Sequence, residues 1–454
     1  MDLVHGKGRA QKYWMIWQHG RELKQVWAPA KGAERTRLTK YKSAKAAKQK
    51  YDALMAAKYK EGYRDVYPAE PAVVAPSPTA SSATRDAALE AALRAAPDDR
   101  ATYAVYSDWL QAHGNPLGEI MALALADKKL SPKRLEALGL PSEQLATFGW
   151  RWGMWDWLRL ENSVDWMDDK FDAVVLARTM FDMAPCAALR ELRIGVLRWD
   201  HNHDDVPAVL AEAAKRAWAR DLRSLHLGDV DDNVDMAHHV IGVVGTSISK
   251  AFPKLRALRL HSSAQTWRGK GVKTFGLAGL ELPELESLTI ETCSLAKARA
   301  KELCAAKLPK LTELELWFGM KEFGANAALA DVAPILDAKA FPHIVSLGLC
   351  NTEHACDLAD ALPHGKLAPQ LARVSLAKGT LDDDAAETLA SNAAAFPRLV
   401  RLDVSESFLT AAAIARLGRA FGKRVTIVAD DQRLDPDDDD EGRADEARYV
   451  AVYE

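Results

Sequence analysis

From Trp155 onward the chain repeats one short pattern, L-x-x-L-x-L, and this repetition restricts the fold more than any other feature. A capping copy at Trp155/Leu158/Leu160 is followed by Leu189/Leu192/Ile194, Leu222/Leu225/Leu227, Leu255/Leu258/Leu260 and Leu285/Leu288/Ile290. Further copies are Leu311/Leu314/Leu316, Ile344/Leu347/Leu349, Leu371/Val374/Leu376 and Leu399/Leu402/Val404. Successive copies begin 34, 33, 33, 30, 26, 33, 27 and 28 residues apart, and most follow the same punctuation, as in Phe252-Pro253 and Phe341-Pro342. A sustained period of this length predicts stacked units that share one core, because no single unit can cover its own apolar face. Each L-x-L reads as a short strand burying alternate residues. The Ala- and Leu-rich stretch that follows, for example residues 382–390, reads as the helical return that parallel strands need. Val425 to Val428 reads as a last strand.

The rest of the chain divides by composition. The net charge is −3, but residues 1–64 carry 16 Lys/Arg against 5 Asp/Glu, so the head holds +11 and the remainder −14. Such asymmetry points to an acidic partner for the head, either nucleic acid or the chain's own acidic run, Asp435 to Glu441. Residues 68–85 contain four prolines among small residues and read as a linker. Residues 86–130 carry helical periodicity, broken at Pro97-Asp98-Asp99 and ended at Gly114-Asn115-Pro116. Residues 131–428 hold the repeats, and 429–454 an acidic tail whose end, Arg448 to Tyr453, reads as a short strand. No apolar run is long enough to span a membrane, no secretory signal is expected, and the five cysteines include no CxxC pair. A cytoplasmic protein is expected.

Three segments resemble bacterial families. The repeats resemble leucine-rich repeats with a helix in each unit, implying an α/β solenoid, or horseshoe, with a helical N-terminal cap. Ala95-Ala96-Pro97-Asp98-Asp99, Tyr106-Ser107-Asp108-Trp109-Leu110 and His113-Gly114-Asn115-Pro116 resemble the repeat-companion domain that neighbours such repeats. The head resembles a WGR domain in Lys12 to Trp17, Gln25-Val26-Trp27, a basic hairpin, Ser43-Ala44 and Gly62-Tyr63. That resemblance implies a small α/β domain before the solenoid and contact with DNA. Trp27 matches the signature, but Ala28 and Pro29 follow it, so the signature arginine and its bidentate phosphate contact are missing. The ninth position of a leucine-rich repeat often carries a buried Asn or Cys. Here only Cys293 fits, so the turns are expected to bond water or each other.

The candidate binding residues fall in two groups. On the head, Trp27, Arg35, Arg37, Lys40, Lys42, Lys45 and Lys48, with Trp14, Trp17, Tyr41 and Tyr59 interleaved, could serve a polyanion. On the sheet, the middle residue of each L-x-L faces solvent, giving Arg159, Arg193, His226 and Arg259 as a basic stripe that passes to Thr289, Glu315, Gly348, Ser375 and Asp403. Trp317, one outward position further on, is expected to project from the sheet as an interface anchor. Trp150, Trp152, Trp155 and Trp157 are expected to weld the helical cap to the first strand. Residues 199–205, and Cys350 with His354, Cys356 and His364, have metal-ligand chemistry without zinc spacing. Arg268 to Gly271 lacks phosphate-loop spacing.

No nucleophile elbow or paired carboxylate site emerges. The expectation is a non-enzymatic adaptor, without cofactor, membrane or small-molecule substrate. Its solenoid would bind a protein partner and its head nucleic acid; the alternative is a purely protein-directed scaffold whose head has lost DNA binding.

Overall fold

The computed structural model describes residues 2–5, 12–19, 21–28, 35–65, 85–131, 134–135, 138–140, 145–162, 171–197, 205–230, 240–263, 275–433 and 448–452. They form two units, Met1–Val74 and Ala75–Glu454. Linker residues 68–84 and the acidic run lie outside the described residues.

The first unit is an antiparallel sheet with one helix. Strands β1 (Asp2–His5), β2 (Lys12–His19), β3 (Glu22–Ala28), β4 (Arg35–Lys40) and β5 (Arg64–Asp65) lie in the order β4-β3-β2-β1-β5. The helix Ala44–Lys60 starts at Ser43, whose hydroxyl accepts the Ala46 amide at 3.1 Å. Trp14 pairs across the sheet with Trp27, and Trp14, Ile16, Leu23, Ala47 and Met55 form the core.

The second unit begins with helices Ala87–Ala95, Arg100–Ala112 and Pro116–Leu125. Asp86, Asp99 and Asn115 cap them through side-chain oxygens, and Pro116 occupies the first turn, where no amide is needed. Then come β6 (Ala146–Arg151), β7 (Met154–Leu160), β8 (Glu191–Ile194), β9 (Ser224–Leu227), β10 (Gly242–Val243), β11 (Ala257–His261), β12 (Phe275–Gly276) and β13 (Ser287–Glu291). Strands β14 (Glu313–Gly319), β15 (Ser346–Thr352), β16 (Arg373–Ser375), β17 (Arg401–Asp403) and β18 (Thr426–Val428) complete the set. Eleven of these strands form one sheet, in chain order apart from the separate parallel pair β10-β12. All neighbours in the large sheet are parallel except the hairpin β6-β7, which the repeat pattern did not reveal.

The register follows the repeats. Leu158 stands beside Leu192, then Leu225, Leu258, Leu288, Leu314, Leu347, Val374, Leu402 and Ile427. The leading residues, from Trp155 and Leu189 to Leu399, are buried, as are Phe252, Phe341 and Phe396 of the punctuation. A backbone ladder ties each copy to the one before: Arg190 donates to the Asp156 carbonyl, Arg223 to Arg190, Arg256 to Arg223, and so on to Thr426 and Val400. Burial of alternate apolar residues is thereby combined with satisfied peptide groups. At the turns, Ser and Thr hydroxyls accept backbone amides. Ser262 accepts the Ile241 amide, Thr292 the Ser294 amide and Thr352 the His354 amide.

Candidate functional site

The sheet face carrying the middle residue of each L-x-L has two halves. In the first half every expected cation meets a carboxylate. Arg159 bonds Asp229 at 3.0 Å and pairs with Glu161; Arg193 pairs with Glu191 and lies 5.0 Å over the Trp157 ring. Arg259 forks onto Glu291 at 3.0 and 2.6 Å, and His261 reaches the same carboxylate at 3.3 Å. His226 stands 3.5 Å from Asp229. Burial pushes His226 down to about 4 despite Asp229 beside it. Burial works against the charge of Glu291, but hydrogen bonds from His261 and Arg259 prevail and bring it to about 2. The basic stripe expected from the sequence is therefore a compensated ion network. Its counter-charges come from the adjacent outward row and from the Asp229 turn.

The second half opens into a groove of about 300 Å³ across β13 to β17. Glu313, Glu315, Arg373, Arg401 and Asp403 line it with Thr289, Ser346 and Ser375, and Gly348 lies in its floor. A Cβ at Gly348 would come within 2.8 Å of the Glu315 Cγ, so the glycine gives Glu315 its room. Arg373 pairs with Glu313 and Arg401 with Asp403 at 3.0 Å, while Glu315 accepts the Trp317 indole N–H at 2.8 Å. The surface is polar, with mixed charge and exposed rims.

Trp317 requires a correction. It holds the expected register, beside Cys350, but is only 9 % exposed. The end of the chain returns to the face here: Val452 packs on the cluster of Cys293, Trp317 and Cys350, and the Lys378 ammonium lies 5.6 Å over the indole. Pattern reading places a side chain on a face and says nothing of a distant segment that covers it. The described part of that end, residues 448–452, is pinned to the fold without forming a strand.

On the head, Arg35, Arg37, Lys40, Lys42, Lys45 and Lys48 are all exposed along the edge strand β4 and the start of the helix. Lys40 pairs with Glu22 at 2.9 Å, and Lys48 lies 5.0 Å over Tyr51. The interleaved aromatics are used differently from the stacking expectation. Trp14 is core, Trp27 and Tyr41 are half-buried against it, and only Tyr59 is exposed; the Trp17 side chain lies outside the described set. Packing in the core accounts for Trp14, Trp27 and Tyr41.

The tryptophan cluster joins the helices to the sheet. Trp152 meets Tyr103 edge-on at 5.0 Å, Trp155 stacks on Phe148 at 4.8 Å, and Trp150 and Trp152 pack on the helical core with Met154 and Ala184. Among the described residues no group of three or more His, Cys, Asp or Glu could hold a metal. Residues 198–204 and 264–274, which hold most of one candidate cluster and the Gly-rich loop, lie outside the described residues. Burial pushes the Cys350 thiol up, so it is protonated at neutral pH. No helix of the described residues is long and apolar enough to cross a membrane.

No family model matches the sequence. No curated protein matches it either. Among solved structures, a Bacteroides fragilis protein is similar at 15 % identity and a TM-score of 0.50, over 100 % of this chain and 99 % of its own. An internalin from Listeria monocytogenes is similar at 15 % identity and a TM-score of 0.30, over 59 % of this chain and 66 % of its own. The first likeness concerns the mixed α/β fold alone.

Proposed function

We propose that the chain is a non-enzymatic adaptor: a leucine-rich-repeat solenoid of horseshoe type whose open sheet face binds a protein partner. The groove across β13 to β17 carries this reading, because among the described residues it is a recess in the sheet face, beside a half whose cations are held by carboxylates. Its mixed charges and hydroxyls suit a polypeptide, which presents donors and acceptors of both signs. Free thiols at all five cysteines favour a reducing, cytoplasmic setting. The test is affinity purification with the full chain and with an Arg373→Glu/Arg401→Glu variant. Both pairs are surface pairs of small energetic worth, so folding should survive. Loss of a partner from that variant, but not from the Arg416→Glu control in the helix Ala411–Phe421, supports the reading; identical captures refute it.

A second reading concerns the head. Six exposed cations on one strand and helix start favour weak contact with double-stranded DNA without sequence preference. Retention of the full chain on DNA should fall steeply with salt and disappear in Arg35→Glu/Arg37→Glu. Retention indifferent to salt or to these changes leaves the purely protein-directed scaffold.

A further inference from the structure

The end of the chain meets the fold in the manner of a bound peptide. Asn351 accepts the Val452 amide at 2.9 Å through Oδ1 and donates to the Val452 carbonyl at 2.6 Å through Nδ2. One side-chain amide thus imitates the edge of a neighbouring strand. The Ala451 amide donates to the Lys378 carbonyl at 2.9 Å. Val450 is fully buried, and Val452, two residues on, packs on the Trp317 cluster. Two residues earlier, Arg448 pairs with Asp382 at 2.6 Å. Asn351, Lys378 and Glu406 occupy the same place in three successive copies, four residues after Leu347, Val374 and Leu402. All three adopt left-handed backbone, with φ of 51°, 67° and 51°. Non-glycine residues rarely do so.

We propose that this clasp is a recognition site for a short extended peptide, with a basic residue followed two and four positions later by β-branched apolar residues. The protein's own Arg448–Val452 fills the site until a partner segment of that chemistry replaces it. Departure of Arg448–Val452 from the site uncovers Trp317, whose indole holds Glu315 in the groove. The clasp is distinct from that groove, and its test does not depend on the groove having a partner.

The probe is a fluorescent peptide with the sequence of residues 446–454, titrated into the full chain by anisotropy. In the unchanged protein the attached segment competes and binding is weak. Val450→Asp/Val452→Asp, which cannot seat its own end, should bind the peptide about tenfold tighter or more, and adding Asn351→Ala should abolish that binding. A folded double variant that does not bind, or binding indifferent to Asn351, overturns the proposal. Should the double variant not fold, hydrogen exchange on the unchanged protein decides. The Ala451 and Val452 amides should exchange about a hundredfold faster than those of Leu376 and Val404, which bond the next strand. Equal protection would make the end an integral part of the fold and overturn the proposal.

Discussion

Trp317→Ala should damage folding directly. Read from the L-x-L register alone, the side chain is a free anchor whose loss would spare stability. Its burial reverses that expectation. Complete truncation of a buried aromatic costs about 3–5 kcal/mol. The low end applies here, because the segment around Val452 can settle into part of the space and Glu315, at the groove, regains water. A loss of about 3 kcal/mol, with a urea dependence of about 3 kcal/mol per molar, lowers the unfolding midpoint by about 1 M. Circular dichroism on the full chain reads this shift. Combining Trp317→Ala with Val452→Asp should cost less than the sum of the two, because they remove one shared contact. A midpoint that moves by less than about 0.2 M would refute the packing and restore Trp317 as an exposed side chain.

Gly319→Ala should cost about 3 kcal/mol, because φ is +79° and a Cβ there would lie 1.7 Å from the Cys293 carbonyl oxygen. Gly418→Ala, in the helix Ala411–Phe421 with nothing within 4 Å of its added Cβ, should instead stabilise by about 0.5–1 kcal/mol; the same melts would expose an error if the signs agreed. Acid should weaken the second unit through Glu291. Its carboxyl sits at about 2 in the folded state against an ordinary 4.5, so its contribution is full above pH 4.5 and is lost as pH falls toward 2. Glu291→Gln should flatten stability across that window, and an unchanged slope would show that Glu291 does not carry it.

The repeat register was legible because stacking imposes the same burial on every unit. One wrong residue in Leu158, Leu225 or Leu314 would point a polar side chain into a continuous core, so the pattern is kept from copy to copy. The same logic placed Val425–Val428 as the final strand, and the structure forms it over Thr426–Val428. Strand β6 escaped because it pairs antiparallel at the sheet's end, outside the repeat. The charge of the face was misread for a related reason. Arg159 and Arg259 belong to the middle row, but Glu161 and Glu291 belong to the next outward row, and Asp229 lies in a turn. Reading one row in isolation showed a cation stripe where the flanking carboxylates make a compensated ion network. The Arg159/Glu161 spacing was the available signal, since side chains two apart on a strand share a face. The clasp was illegible because Asn351 and Val452 are about a hundred residues apart, and no local pattern links them.

Binding through the open groove is tested most directly by site-specific photo-crosslinking in the cell of origin. A photoreactive side chain at Ser375, on the groove wall, should give one discrete adduct with another protein, while the same group at Glu387, in the helix Asp383–Ser391, should give none. Absence of an adduct at Ser375 in folded, expressed protein, or the same adducts at both positions, would contradict a binding platform on this face.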